Sequence, residues 1–406
     1  MCYNVLMDEI SRYAVGLDVG TENVRAVVMS VGRDGTTSVV GYGEATNAGM
    51  RKGVVANLAG PAEAIDKMLG EVERMSGAEV NSAFVSINGV SVMSTKIEGM
   101  IAVGAEDHEI SENDLRRVEE TAVVGRVPAN RDILDVIPLT YTLDGQGGIK
   151  DPVGMTGARL ELSASVVSAL SPNCANLRRA TEGAKVVAER LVPSVMAAAK
   201  AVLSERQMEN GVAVIDLGAA TTGVAVYEEG DLQYTGVIPM GSNNITNDLA
   251  IVLEVDTEIT EDLKRRFVTG NFGESEKDIV IKRGRKEFSF ERTSVDLIVQ
   301  ERLTEIFHGV RKELAKAGYD RRLPEGMVLV GGGAKMRDIE VFAKKVLEAS
   351  VRVGKPTGMN GVGESIERPE FAAAAGLALI AAEDGGRAVV REKKKKGGLF
   401  GLFGKS

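Results

Sequence analysis

Two stretches of the chain share one pattern of apolar and polar positions. Residues 13–28 and 211–227 each begin with an apolar run rich in β-branched residues, continue with Asp-x-Gly and Thr, and end in a second apolar run. Two such runs joined by a short segment containing Asp and Gly are typical of a β-hairpin. The aspartates are Asp18 and Asp216, and about half of the 406-residue chain separates them. The pattern therefore predicts a duplicated domain with a cleft between its halves.

Several other segments of the chain carry apolar residues at helical intervals. Residues 61–75 carry apolar side chains at intervals of three and four, as on the buried face of a helix. Ser111 is followed by acidic residues in what would be a first helical turn, which predicts a capped helix up to Val124. The same periodicity predicts further helices over 176–205 with an interruption at Pro193, 244–268, 294–317, 336–349 and 370–382.

Composition narrows the class of protein. Hydrophobic residues make up 44% and charged residues 26% of the chain, which excludes wholesale disorder. No apolar run reaches the ~18 residues that cross a bilayer, so we expect no transmembrane helix. Two cysteines cannot form a disulfide framework and indicate a reducing compartment. The first residues lack a basic-then-apolar signal pattern, so we expect no export.

Charge is distributed unevenly along the chain. The net charge is −9, yet residues 387–406 are strongly basic and contain one acidic residue, Glu392. The remainder is therefore more acidic than the total suggests, which argues against general nucleic-acid binding. A basic tail on an acidic body indicates a local function for the tail.

The hairpin turns have the chemistry of a phosphate and magnesium site. Turns with Gly and Thr present backbone N–H groups that can bind phosphate oxygens. Asp18 and Asp216 could hold a hydrated Mg²⁺ between them, since Mg²⁺ keeps several waters and takes carboxylate ligands. Either turn alone is more simply explained as an ordinary tight turn, because Asp and Gly are common there. The presence of one in each half favours a binding site.

Two further motifs support that interpretation. The strand over 327–330 runs into Gly331, Gly332 and Gly333, where backbone can approach a ligand closely beside a helix N-terminus. Glu261 and Lys264 are three residues apart on one face of a predicted helix. They could contact the sugar and base of a nucleoside, although a solvated ion pair is the simpler interpretation of that spacing alone.

Together these motifs resemble the nucleotide signature of the actin-like ATPase superfamily, which includes actin, the seventy-kilodalton heat-shock chaperones and sugar kinases. Within it the chain resembles the bacterial FtsA cell-division family over residues 13–382 and again at the tail. The most specific segment is 141–161, YTLDGQGGIKDPVGMTGARLE. Residues 241–250 and 369–372 also match the family pattern.

The resemblance implies an α/β protein with actin-like (ribonuclease-H-like) duplicated domains around a nucleotide cleft, an inserted FtsA-type subdomain and a C-terminal amphipathic tail. The expected division is a first core over 12–83 and 167–205, the insert over 84–166, a second core over 206–245 and 325–386, a small subdomain of the second half over 246–324, a basic linker over 387–398 and a membrane-targeting segment over 399–406.

The resemblance also implies ATP and Mg²⁺ as cofactors and assigns residues to them. ATP would act mainly as a structural ligand, with at most slow hydrolysis and Asp216 as the candidate for positioning Mg²⁺ or water. The second loop departs from the family by having alanines where glycines are usual. The implied ligands are Asp18, Gly20, Thr21 and Glu22 in the first loop, Asp216, Gly218, Ala219, Ala220, Thr221 and Thr222 in the second, with Gly241, and Glu261, Lys264 and Gly331 to Gly333 around the nucleoside.

The tail suits a membrane surface. Leu399, Phe400, Leu402 and Phe403 share one face of a helix that advances ~100° per residue. They follow Lys393, Lys394, Lys395 and Lys396, a combination that favours anionic lipid. One such tail would bind weakly, and a polymer would supply avidity. A disordered solubilising tail is the alternative.

The function expected from the resemblance is a polymer-forming adaptor on the cytoplasmic face of the cell membrane at the division septum. It would tether the FtsZ ring there and recruit later divisome proteins through the insert. The FtsZ C-terminal peptide would bind the small subdomain of the second half, with Arg302 as the candidate contact. The alternatives are a PilM-like type IV pilus scaffold, which does not need the tail, and a small-molecule kinase, which needs a further cleft carboxylate as base.

Overall fold

The computed structural model describes residues 10–104, 108–266, 278–319 and 323–384. The predicted basic linker and membrane segment, with Lys393 to Lys396 and Leu399 to Phe403, lie outside these residues. The strands are β1 Ile10–Val19, β2 Asn23–Gly32, β3 Thr37–Thr46, β4 Met50–Arg51, β5 Val54–Val55, β6 Ser82–Ile87, β7 Met93–Ala102, β8 Arg131–Leu143, β9 Gln146–Ile149, β10 Arg159–Leu170, β11 Val187–Pro193, β12 Val212–Leu217, β13 Thr222–Glu228, β14 Asp231–Ile238, β15 Asp278–Arg283, β16 Lys286–Glu291, β17 Met327–Val330, β18 Val351–Val353 and β19 Asn360–Gly361. The α-helices are α1 Ala59–Ser76, α2 Glu112–Val123, α3 Ser171–Gly183, α4 Ser194–Val202, α5 Glu205–Asn210, α6 Ser242–Leu253, α7 Thr257–Arg265, α8 Arg292–Lys316, α9 Ile339–Leu347 and α10 Ala372–Glu383.

The two halves repeat one sheet topology. The first sheet has the order β11-β6-β1-β2-β3-β19 and the second the order β18-β17-β12-β13-β14. In each, three antiparallel strands are extended by parallel strands beside the first of them. The predicted duplication is confirmed, with each Asp-x-Gly segment at the turn of its hairpin.

Two helices pack against each other between the sheets. Helix α10 is apolar on all sides, as expected of a buried helix, and its residues from Ala372 to Ala378 are all buried. It contacts α4 so closely that a Cβ on Gly376 would lie 1.6 Å from the carbonyl oxygen of Ala197. Glycine at this position therefore sets the distance between the helices that join the halves.

The insert forms a separate layer with its own core. Its sheet has the order β7-β10-β8-β9 and packs against α2 through Ile97, Val118, Leu160 and other buried residues. The predicted cap is confirmed, because the Ser111 and Asp114 side chains each accept a hydrogen bond from the other residue's backbone N–H.

Some sequence-based boundaries need correction. Strand β6 belongs to the first sheet, and β10 extends the insert's sheet to Leu170. The sheets therefore divide the chain after Ile87 and after Leu170, a few residues later than the predicted 84–166. The prediction of a helix over 176–205 was wrong for residues 187–193, because Val187–Pro193 is a strand paired with β6.

The small subdomain of the second half consists of α6, α7, α8 and the β15–β16 hairpin. Its buried residues, including Leu249, Leu263 and Phe307, belong to the same hydrophobic cluster as one face of the second sheet. No helix in the described ranges is both long and apolar enough to cross a membrane.

Candidate functional site

A cavity of about 500 Å³ lies between the two halves. It brings together most of the residues that the sequence assigned to nucleotide binding. The predicted residues on its wall are Asp18, Gly20, Thr21, Glu22, Asp216, Gly218, Ala219, Thr221, Glu261, Lys264, Gly331, Gly332 and Gly333. Ala220, Thr222 and Gly241 are not among the lining residues.

The first hairpin turn is fixed by local hydrogen bonds. The backbone N–H of Gly20 donates to the carbonyl oxygen of Asn23 at 3.0 Å, and the Asn47 side-chain amide donates to the carbonyl oxygen of Gly20 at 2.7 Å. A Cβ on Gly20 would lie 2.7 Å from the Asn23 oxygen. Thr21 Oγ1 accepts from the backbone N–H of Gly53 at 3.2 Å. The turn is therefore held in one conformation at the cavity wall.

The second hairpin has the same turn with a different support. The N–H of Gly218 donates to the Thr221 carbonyl at 3.0 Å, and a Cβ on Gly218 would lie 2.9 Å from that oxygen. The N-terminus of α6 covers the turn, because the N–H groups of Ser242 and Asn243 donate to the carbonyls of Gly218 and Ala219 at 2.9 and 2.8 Å.

This support explains two of the predicted residues that do not line the cavity. A Cβ on Gly241 would lie 2.6 Å from the carbonyl oxygens of both Gly218 and Ala219, so Gly241 permits α6 to approach the turn. Thr222 is fully buried, and its hydroxyl donates to the Met240 carbonyl at 2.8 Å. Both residues support the loop from behind and are positioned away from a ligand in the cavity.

Two carboxylates lie at the ends of the hairpin strands. Ser86 donates to Asp18 Oδ1 at 2.6 Å, and Ser194 donates to Asp216 Oδ2 at 2.7 Å. Ser194 Oγ also lies 2.5 Å from Oδ1 of Asn88, which lines the cavity. Each half therefore pairs its aspartate with one serine from a neighbouring element.

The environment of these carboxylates favours a cation. Burial raises the pKa of Asp18, against the hydrogen bond from Ser86 and the charge of Arg25. Burial, together with the nearby charge of Asp18, raises the pKa of Asp216 to about 6. A divalent cation would relieve both effects. No group of three or more His, Cys, Asp or Glu side chains suited to a metal occurs in the part of the chain that the structure describes, so water would complete the coordination of a Mg²⁺ here.

The glycine segment closes the cavity beside Asp216. Gly331 has a φ of 86°, and a Cβ there would lie 2.4 Å from Asp216 Oδ1. Its N–H donates to the Pro369 carbonyl at 2.9 Å, whereas Gly332 has open space where a Cβ would be. The segment continues as a short 3₁₀ turn over Gly332–Lys335, and α9 begins at Ile339. The predicted start of a helix directly at Met336 was therefore wrong.

Glu261 and Lys264 form an ion pair in which the lysine is buried and the glutamate is partly buried, which corrects the simpler interpretation of a solvated pair. The Lys264 side chain is 6% exposed, and Nζ lies 2.5 Å from Glu261 Oε2. Thr246 joins them, since Lys264 Nζ donates to Thr246 Oγ1 at 2.9 Å and Thr246 Oγ1 donates to Glu261 Oε2 at 2.8 Å. Burial would raise the pKa of Glu261, but the charge of Lys264 and these hydrogen bonds outweigh it and lower the pKa.

Sequence reasoning missed several lining residues. Arg25 faces the cavity from β2, directly opposite Asp18 in the hairpin register, and its Nε lies 3.1 Å from Glu44 Oε2. Counting across the predicted hairpin could have found it. Asn88, Lys335 and Glu370 also line the cavity, and they reach it only through the tertiary arrangement.

The structure gives Arg302 contacts within the chain. Its Nε and Nη2 lie 2.6 and 3.0 Å from the two carboxylate oxygens of Asp248, and Nη1 lies 2.5 Å from Glu305 Oε2. The side chain is 24% exposed. Contact with a partner peptide at Arg302 stays a prediction.

The duplicated sheets, the cleft and the inserted layer define an actin-like protein. The solved PilM–PilN type IV pilus biogenesis complex is similar with a TM-score of 0.66 and 18% identity, over 91% of this chain and 98% of that chain. MreB5 of Spiroplasma citri bound to ADP is similar with a TM-score of 0.52 and 14% identity, over 92% and 99%. At these identities the similarity establishes the fold alone.

Sequence similarity then gives the family. The family model for "Cell division protein FtsA" matches residues 213–376, and that for the "SHS2 domain inserted in FTSA" matches 89–168. FtsA of Borreliella burgdorferi is 35% identical over 90% of both chains, and FtsA of Neisseria meningitidis is 32% identical over 97% of both. FtsA of Bacillus subtilis is 34% identical over 90% of this chain and 83% of its own. The chain belongs to the FtsA family of cell-division proteins, which confirms the resemblance found in the sequence.

Proposed function

We propose that this chain is an ATP-binding adaptor that polymerises on the cytoplasmic face of the cell membrane at the division septum and tethers the FtsZ ring there. The proposal that the chain binds ATP rests on one observation. The two Asp-x-Gly hairpin turns and the glycine segment 331–333 all line the same cavity. Membership of a cell-division family supplies the context. The similar MreB5 of Spiroplasma citri was crystallised bound to ADP, which supports a nucleotide in this fold.

In this proposal each wall of the cavity has a distinct part. The backbone N–H groups of the two turns and the charge of Arg25 hold the phosphates, and Asp18 and Asp216 hold Mg²⁺ through water. Gly331 to Gly333 allow the nucleoside to approach the backbone, with Glu261 and Lys264 beside the ribose and base. A bound Mg²⁺ would supply charge neutralisation between the carboxylates and the phosphates.

ATP would act mainly by connecting the halves. Both hairpins line the same cavity. A ligand that contacts both turns binds more tightly when the two halves are close together, and it therefore favours that arrangement. Both carboxylates at the phosphate end are assigned to the cation, which leaves neither free as a base for water. We therefore propose slow hydrolysis at most.

Titration calorimetry with ATP in Mg²⁺ and in EDTA tests the nucleotide site. We expect binding that depends on Mg²⁺ and that Asp216→Ala weakens. Asp262→Ala is the matched control, because Asp262 lies on α7 in an ion pair with Arg283 that is not part of the cavity wall. Equal affinity of wild type and Asp216→Ala would contradict the assigned role.

We also propose that the C-terminal peptide of FtsZ binds the small subdomain of the second half near Arg302. Because Arg302 is already paired with Asp248 and Glu305, an acidic peptide would share this arginine with them. Fluorescence anisotropy of a labelled FtsZ peptide should show weaker binding to Arg302→Ala and unchanged binding to Arg311→Ala, which alters an arginine on the same helix. Equal binding to both variants would remove Arg302 from the site.

The membrane part of the proposal rests on the sequence of the tail. Burial of four large apolar side chains gives roughly 6–12 kcal/mol as an upper bound, and ordering ~10 residues costs on the order of 10 kcal/mol. One tail is therefore a weak anchor, and filament formation would make attachment stable by avidity. Later divisome proteins would bind through the insert.

A further inference from the structure

The insert contacts both halves of the molecule. The chain enters it from β6 and leaves it into α3, so the insert is covalently part of the first half. One face of its sheet packs against α2. The opposite face lies against β14, the strand at the edge of the second sheet. The insert therefore bridges the two halves, and its contacts with the second half are non-covalent.

An ion pair joins the insert to the second half. Lys150 follows β9, and its Nζ donates to the carbonyl oxygen of Leu139 within the insert at 3.0 Å. The same ammonium group donates to Asp231 Oδ2 at 2.8 Å and lies 3.3 Å from Glu229 Oε2. Both acids lie at the turn from β13 to β14. Because the Lys150 side chain is 48% exposed, a substitution there changes this pair without opening a hydrophobic core.

A hydrogen bond and an apolar contact accompany the ion pair. Thr235 of β14 is fully buried, and its backbone N–H donates to Ser94 Oγ of β7 at 2.8 Å. An edge strand has no neighbouring strand for its outward N–H groups, so a side chain of the insert satisfies this one. Leu134 and Ile137 of β8 pack against the hydrophobic cluster that contains Leu232 of β14. Together with the Lys150 pair, these form the bridging contacts between the insert and the second half.

The bridging contacts lie outside the nucleotide cavity but depend on how the halves are arranged. None of Ser94, Lys150, Glu229, Asp231 and Thr235 lines the cavity. Hydrogen bonds need donor–acceptor distances of about 2.7–3.2 Å, so a shift of the second half against the insert breaks them. The proposed nucleotide needs both hairpin turns on one cavity, which is found in this same arrangement. The bridging contacts and the nucleotide therefore stabilise one and the same arrangement of the halves.

We infer that the bridging contacts couple the insert to the nucleotide cavity. A bound nucleotide strengthens the attachment of the insert to the second half, and loss of that attachment weakens nucleotide binding. The coupling is reciprocal, because two events that favour the same arrangement must favour each other by the same factor. This inference rests on the proposed nucleotide site and assigns to it a regulatory contact with the insert.

Titration calorimetry of the full chain with Mg²⁺-ATP tests the effect of the insert on the cavity. An ion pair between partly exposed groups changes an equilibrium constant by about two- to fivefold, so Lys150→Ala should weaken ATP binding by that factor. Lys150→Glu should weaken it more, because the new carboxylate faces Glu229 and Asp231. Adding Asp231→Lys to Lys150→Glu should restore most of the affinity, which a merely local disturbance would not allow.

Arg159→Ala is the matched control for these variants. It removes a cation of the same insert that is 53% exposed, and its ion-pair partner, Glu161, also belongs to the insert. We expect Arg159→Ala to bind ATP as wild type does, since its pair does not cross to the second half.

Hydrogen exchange measured by mass spectrometry reports on the bridging contacts directly. The peptide over β14, residues 231–238, contains the Thr235 N–H that donates to Ser94. In wild type, saturating Mg²⁺-ATP should slow its exchange about two- to fivefold, the factor expected from the calorimetry. Without nucleotide, Lys150→Glu should speed its exchange. Exchange over α2 should respond to neither change, because α2 packs on the face of the insert that is turned away from the second half.

Three results would overturn the inference. The first is wild-type affinity for ATP in both Lys150→Ala and Lys150→Glu. The second is an equal loss of affinity in Lys150→Ala and Arg159→Ala, or no restoration by Asp231→Lys. The third is exchange over 231–238 that ATP leaves unchanged although ATP binds. If wild type does not bind ATP at all, the proposed nucleotide site is rejected together with this inference, whereas uncoupled variants of a chain that binds ATP reject the inference alone.

Discussion

The two hairpins have the same backbone turn and different surroundings. In both, a glycine N–H closes the turn and a serine from a neighbouring element donates to the aspartate. The first turn is supported by the side chain of Asn47, whereas the second is supported by the N-terminus of α6. The two halves therefore share the turn geometry, but different elements stabilise the turn in each half.

The charges around the two aspartates also differ. Arg25 stands opposite Asp18 in the hairpin and lowers its pKa, against the larger effect of burial. Burial and, after it, the charge of Asp18 raise the pKa of Asp216 to about 6, against the hydrogen bond from Ser194 and the charge of Arg25. Burial therefore disfavours both anions, and a cation between them would stabilise both.

The largest expected effect is on the pH dependence of stability. The folded pKa of Asp216, about 6, lies above its ordinary value of 3.8, so the folded state binds the proton more tightly than the unfolded state. Without ligand, this group's contribution is most favourable below 3.8 and is lost as pH rises towards about 6. Asp216→Asn should therefore stabilise the fold near neutral pH by as much as about 3 kcal/mol. Urea unfolding across pH measures this, and no gain near neutral pH would contradict the assignment.

The glycines of the two turns should be equally intolerant. A Cβ would lie 2.7 Å from a backbone oxygen at Gly20 and 2.9 Å at Gly218. Gly20→Ala and Gly218→Ala should each lower the free energy of unfolding by about 2 kcal/mol through overpacking. Gly332→Ala is the control, since nothing lies within 4 Å of its added Cβ. A large loss of stability in only one of the two variants would contradict the conclusion that the two turns have the same backbone geometry.

Binding of Mg²⁺-ATP should depend on both aspartates. Asp18→Asn and Asp216→Asn should each weaken it about tenfold, or about 1.4 kcal/mol, because each removes one carboxylate from the cation site. The difference in ATP affinity between wild type and each variant should largely vanish in EDTA, because no cation is then present for the carboxylates to hold. If one variant binds Mg²⁺-ATP as tightly as wild type does, the aspartate changed in that variant does not hold the cation.

The serines should give the smallest effects. Ser86→Ala and Ser194→Ala each remove a hydrogen bond to a buried carboxylate, and each should cost about 1 kcal/mol of stability. Thermal unfolding measures both, with the exposed Ser289→Ala as control. Unchanged stability in either variant would show that the aspartate of that half does not depend on its serine.

The local features of the site were predictable from the sequence. The turns, Asp18, Asp216 and the glycines follow from short stretches whose backbone geometry is set by their own residues. Thr222 was assigned to the ligand because it lies in the motif, yet strand alternation turns it away from Thr221 and into the protein. Arg25 could have been found from the hairpin register.

The non-local features were not predictable in this way. Ser86 and Ser194 reach the aspartates only because their elements are neighbours in the fold. Residues 187–193 were assigned to a helix because VAERLVP has no regular alternation of apolar and polar positions. They form an end strand of the first sheet, and only the tertiary pairing with β6 reveals it. Glu370 gave no signal in the sequence, since its burial depends on the packing of the 3₁₀ turn against the glycine segment.

The most direct test of the proposed adaptor is flotation with anionic liposomes, with and without Mg²⁺-ATP. The full chain is compared with a chain ending at Arg391, which lacks Lys393 to Lys396 and the apolar residues from Leu399 onwards. We predict that only the full chain floats and that ATP increases the bound fraction, because nucleotide-dependent assembly multiplies weak anchors. If the shortened chain floats equally well, or if neither chain floats in ATP, the tail is not the membrane anchor and the adaptor proposal is contradicted.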